Sequence, residues 1–155
     1  MTLPDLLQAI LNAAQAGITP TPERAFVQPG TEVAWDDCCD GQLALRLIHL
    51  EPVSAGSSSS ACAPAGWKAH LGLGLIRCVA SLDDAGNPPT SDQLTADAID
   101  VLTDASVLEQ VLTCTVSGLV DRLTLVNYLP LGPSGGCAGG EWTFRVVFIA
   151  TPCGC

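Results

Sequence analysis

Gly132-Pro133-Ser134-Gly135-Gly136-Cys137-Ala138-Gly139-Gly140-Glu141-Trp142-Thr143-Phe144-Arg145-Val146-Val147-Phe148-Ile149 changes character halfway along. In its second half Trp142, Phe144, Val146 and Phe148 fall on one face and Thr143, Arg145, Val147 and Ile149 on the other, the period-two pattern of a strand with one buried aromatic side. Its first half is rich in glycine and proline, which supply positive φ and interrupt pairing. Upstream, Arg122 to Leu129 alternates as well, so the two runs predict a hairpin joined by a long glycine-rich loop at 130–141. Hairpin loops are normally two to five residues, and a longer one is a candidate contact surface.

Working outward, Thr2, Pro4 and Asp5 form a helix start, followed by Leu3, Leu6, Leu7, Ile10, Leu11 and Ala14 at helical spacing until Gly17. Ala25-Phe26-Val27 reads as an edge strand, and Pro29-Gly30 turns the chain into Glu32 to Trp35. Asp36 to Gly41 is a turn by composition. Gln42 to Leu50 and Trp67 to Val79 are strands, separated by a serine-rich flexible loop at 51–66. Thr90-Ser91-Asp92-Gln93 has the form of a capping box. The helix after it carries Leu94, Ala98, Val101, Leu102, Ala105, Leu108 and Leu112 on one stripe, with a break expected near Thr103-Asp104. This order predicts one α+β domain over 1–155: a mostly antiparallel sheet of four to five strands, with an N-terminal helix and one long central helix packed on it.

Composition narrows the function classes. The chain carries 16 acidic against 6 basic residues, a formal charge of -10, and this excludes a protein that grips nucleic acid through clustered Lys and Arg. Only 14% of residues are charged against 48% apolar, which predicts a real core together with surface covered by other subunits. There is no apolar run of membrane-spanning length and no secretory signal pattern, so the expectation is synthesis in a cytoplasm.

No catalytic or cofactor-binding residue is assigned. His49 and His70 fall inside strands with no nucleophile signature and read as sheet residues. The glycine stretch lacks the Gly-Lys-Ser/Thr of a phosphate loop. Trp35, Trp67 and Trp142 border strands, where tryptophan anchors a core or an interface. Cys38-Cys39 with the tail Cys153-Gly154-Cys155 offers paired thiolates, but no Cys-x-x-Cys spacing occurs, and no metal is assigned.

Tracing the strands up and down sorts the eight cysteines by sheet end. Cys38, Cys39, Cys78 and Cys137 reach one end, and Cys62, Cys114, Cys153 and Cys155 the other. The ends are roughly 30 Å apart and a disulfide needs Cα atoms within about 7 Å, so bridges are expected within each group only.

Phe26-Val27-Gln28-Pro29-Gly30, Val33-Ala34-Trp35-Asp36-Asp37-Cys38-Cys39, Gln42-Leu43, Leu73 to Cys78, and Gly132-Pro133 with Gly135 to Thr143 also carry a resemblance. Over residues 2 to 150 the chain resembles a family from the structural-gene block of long-tailed actinobacteriophages, the neck or head-to-tail connector proteins, and within it most resembles a tail terminator. The resemblance implies a structural, non-enzymatic virion protein. It implies a homo-oligomer, a hexameric ring between the major tail tube protein and a head-completion or stopper protein, with genome DNA passing through unbound and no membrane involved. The acidic excess is then expected to face the channel, with Asp36, Asp37, Asp40 and Glu141 as candidates. Two alternatives remain: another connector such as the stopper, expected to be a small β-barrel, and a small cysteine-dependent enzyme or thiol switch.

Overall fold

A computed structural model describes residues 1–33, 38–53 and 66–149. Helix α1 spans Leu3–Gly17 and helix α2 spans Ser91–Gln110. Both start as their sequences dictate. Thr2 Oγ1 accepts from the Asp5 N–H while the Asp5 carboxylate accepts from the Thr2 N–H, and Thr90 and Gln93 exchange the same pair of bonds. Each reciprocal cap satisfies two backbone donors that the first turn leaves open. α1 then buries Leu6, Leu7, Ile10, Leu11 and Ala14. The expected break at Thr103-Asp104 does not occur: α2 runs through it and continues into a π turn at Val111–Thr115 and a 3-10 turn at Val116–Leu119. Asp104 does not cap a new helix because its carboxylate is held by Arg77, whose Nε donates over 2.6 Å.

Among the described residues five strands form one sheet: β1 Arg24–Pro29, β2 Gln42–Val53, β3 Gly66–Cys78, β4 Arg122–Ser134 and β5 Cys137–Ile149, in the order β1-β2-β3-β5-β4. β1 pairs in parallel with β2, and all other pairs are antiparallel. This is the expected α+β class.

One face of the sheet presents Leu43, Leu45, Leu71, Leu73, Phe144 and Val146 to α1, to the C-terminal half of α2 and to the two turns after it. At about 1.5–3 kcal/mol for each large apolar side chain fully removed from water, this layer dominates the stability. Two bulges keep its pattern in phase. Ile48 is the extra residue between Leu47 and His49, and Val126 the extra one between Leu125 and Asn127. Each shifts the alternation by one, so Leu50 rejoins the core side after Leu47, and Tyr128 stacks on Trp142 at 5.3 Å.

The glycine-rich stretch is not the long loop expected at 130–141. β4 and β5 extend to its two ends and are joined by Gly135 and Gly136 alone, with φ of 59° and 80°. Positive φ at both central residues defines the tight hairpin turn whose twist matches its strands, and glycine adopts it without strain. Gly139 lies inside β5 for another reason: a Cβ there would collide with the Leu75 carbonyl and lie 2.8 Å from Ile76 Cα. Gly139→Ala is expected to cost about 3 kcal/mol, because main chain has to move. Gly132→Ala, in open space, should stay within about 0.5 kcal/mol. Urea titrations of both variants check the contrast, and equal midpoints would contradict the close approach.

Candidate assembly surface and cysteine corner

β1 and β2 are parallel, so the chain between Pro29 and Gln42 has to return to the end of the sheet from which β1 started. It is clipped there by two bridges. Cys38 joins Cys137 with Cα atoms 5.9 Å apart, and Cys39 joins Cys78 with Cα atoms 4.5 Å apart. Cys78 and Cys137 are paired residues at the ends of β3 and β5. These four are the group that the up-and-down trace brings to one end. Cys114 is exposed in the π turn and unbridged, while Cys62, Cys153 and Cys155 lie outside the described residues. The pairing of Cys38-Cys39 with the C-terminal tail falls there too. The up-and-down trace places Cys78 and Cys137 with Cys38 and Cys39; what the metal reading, which looked for ligands at local spacing, missed is that these four form one thiol cluster.

On the second face of the sheet Arg46 and Glu141 form a nearly buried ion pair. Arg46 Nε donates to Glu141 Oε2 over 2.8 Å and Nη2 donates to Oε1 over 2.5 Å, a two-pronged contact between side chains only 11% and 10% exposed. Arg46 Nη1 also donates to the Thr31 carbonyl. The carboxylate lies flat over Gly72, where a Cβ would stand 2.9 Å from it. Glu141 therefore does not belong among acidic residues facing a channel: its charge is neutralised in the sheet. Asp40 is exposed in its turn, and Asp36 and Asp37 lie outside the described residues.

At the opposite end from the bridges, the Ile48 bulge brings His49 opposite His70, with rings edge-on at 5.6 Å. Both Nε2 atoms lie 3.4 Å from Glu51 Oε1, and Lys68 Nζ donates to Glu51 Oε2 over 3.0 Å. Burial lowers the His70 pKa below its ordinary value, with Glu51 opposing and Arg145, Lys68 and His49 adding to the decrease, so the imidazole is neutral at neutral pH. Hydrogen bonding from Lys68 holds the Glu51 pKa below the usual carboxylate value. His70 and Cys78 are eight residues apart on β3, roughly 26 Å at about 3.3 Å per residue, far beyond the contact a thiol–imidazole pair requires.

Three of the large apolar side chains exposed among the described residues belong to α2. Of the expected stripe from Leu94 to Leu112, the C-terminal part, Ala105, Leu108 and then Leu112, is buried. Leu94 is 49% exposed, and Ile99 and Leu102 are each 57% exposed. The helix is anchored at two points beside this surface. Asp97 Oδ2 accepts from the Ala80 N–H over 2.7 Å, and the Trp142 indole N–H donates to the Ala105 carbonyl over 2.8 Å. Between α2 and the β4–β5 hairpin lies a groove of about 270 Å³, lined by Leu94, Ala98, Val101 and Leu102 on the helix and by Pro130 and Leu131 on β4. β4 is an edge strand of 13 residues with Val126 and Leu129 exposed, so unpaired backbone and apolar side chains adjoin the groove. Among the described residues no helix is long and apolar enough to cross a membrane. Comparison with protein-family models and with curated protein sequences finds no match to this chain.

Proposed function

We propose that the chain is a structural subunit of the neck of a long-tailed phage, a tail-terminator ring protein that caps the tail tube and joins it to the head. The observation that carries this reading is the apolar stripe of α2 left open beside edge strand β4. A patch of this composition on a chain with so few charges calls for a protein partner, and a head-to-tail contact between unlike surfaces generates a ring when the rotation closes. The α+β architecture with two helices favours the terminator over the stopper, for which a β-barrel is expected. The net charge of -10 suits a channel that DNA traverses without adhering.

Immunogold labelling of purified virions with an antibody against the chain is expected to mark the junction of head and tail. Label confined to the capsid shell or the tail tip would overturn the assignment.

A further inference from the structure

We propose that, when its bridges are reduced, the chain binds one zinc ion through the thiolates of Cys38, Cys39, Cys78 and Cys137. The site is built by the fold and not by local spacing: a vicinal pair from the chain before β2, one residue at the end of β3 and one at the start of β5. The sulfurs of Cys38, Cys39 and Cys78 all lie within 4.8 Å of one another, and that of Cys137 is bonded to Cys38. A tetrahedron with metal–sulfur bonds of about 2.3 Å has sulfur–sulfur edges of about 3.8 Å. Cys38 Sγ and Cys78 Sγ, which share no bond, are 3.8 Å apart. The four sulfurs thus already occupy a volume of the size a tetrathiolate site needs.

The chemistry balances in two steps. Each bridge takes up two electrons and two protons, either from two thiols that leave as a disulfide or from a phosphine that becomes its oxide while water supplies the oxygen and the protons, so the two bridges give four thiols. Zinc then displaces the four thiol protons and forms four metal–sulfur bonds, leaving a site of charge 2-. Thiolate ligands select zinc over the harder divalent ions. In a reducing compartment, where disulfides do not persist, the ion replaces the bridges as the clip that holds the chain before β2 against β3 and β5.

The test uses the full-length chain, reduced with a phosphine and kept free of chelator. Metal analysis is expected to find about one zinc per chain after gel filtration. Cobalt(II) added to the reduced, metal-free chain should give the intense visible bands of a tetrahedral ion and the near-ultraviolet charge transfer of thiolate ligands. Cys39→Ser and Cys78→Ser should each lose most of the bound zinc, whereas Cys114→Ser and the triple variant Cys62→Ser/Cys153→Ser/Cys155→Ser should keep it. The cobalt spectrum of the unaltered chain stands even where a serine variant fails to fold. Absence of a tetrathiolate spectrum, or zinc retained by Cys39→Ser and Cys78→Ser, overturns the proposal. So does zinc lost in the triple variant.

Discussion

Glu141→Ala is expected to destabilise the chain by about 3–5 kcal/mol, the cost of leaving a buried charge without its partner. The substitution removes both hydrogen bonds from Arg46 while leaving that guanidinium nearly enclosed against the sheet, with the Thr31 carbonyl as its remaining acceptor. The cost is mainly desolvation and not lost attraction, and this gives the prediction a second arm. Replacing both partners by apolar residues of similar volume, Arg46→Met with Glu141→Leu, should recover most of the loss, since no charge is then left buried. Thermal and urea unfolding of the two single variants and the double variant form the cycle. Additive losses in the double variant would show that the two side chains do not act as a pair.

Leu94→Asp combined with Leu102→Asp is expected to abolish assembly while leaving the folded monomer intact. Both side chains are about half exposed in the isolated chain, so placing carboxylates there should change its stability by less than about 1 kcal/mol. In an assembled interface the same carboxylates would be stripped of water with no partner. A penalty of roughly 4 kcal/mol is about a thousandfold in an association constant. Analytical ultracentrifugation at matched concentration and the quantity of the chain in purified virions measure the effect. A double variant that unfolds as the parent does but no longer assembles fits the proposed ring. One that assembles normally would place the interface elsewhere.

Much of the architecture was legible before any coordinates. Both capping boxes are local chemistry, and Thr2 with Asp5 and Thr90 with Gln93 carry their own instructions. The alternation in β2, β3 and β5 was equally plain, and following strands from end to end sufficed to sort the cysteines. The glycine stretch misled because glycine has two uses. Composition suggested a loop, whereas Gly139 is small in order to let β5 approach the Leu75 carbonyl, a requirement set by the neighbouring strand. The bulges at Ile48 and Val126 depend on register and leave no local mark. Glu141 looked like a surface acid at a turn, yet a signal was present: Arg46 stands in a leucine-rich strand and has to find a carboxylate. The α2 stripe was read correctly as apolar, but periodicity states only that a face is to be covered, not whether its own chain or another covers it. The cysteine corner escaped spacing rules because its members come from three separate segments.

The strand order also governs what happens while the chain is being made. β5, the last element described, lies between β3 and β4, so the sheet is filled from within by a segment made after the four other strands. Until then β3 has β2 on one side and an open row of backbone donors and acceptors on the other. The nascent chain thus holds that edge of β3 open until β5 has been made. Trp142, one of the residues that anchor α2 over the sheet, through the Ala105 carbonyl, arrives with the same segment. A chain cut short before β5 therefore holds α2 through Asp97 and Asp104 at the end of β3, and lacks the Trp142 anchor.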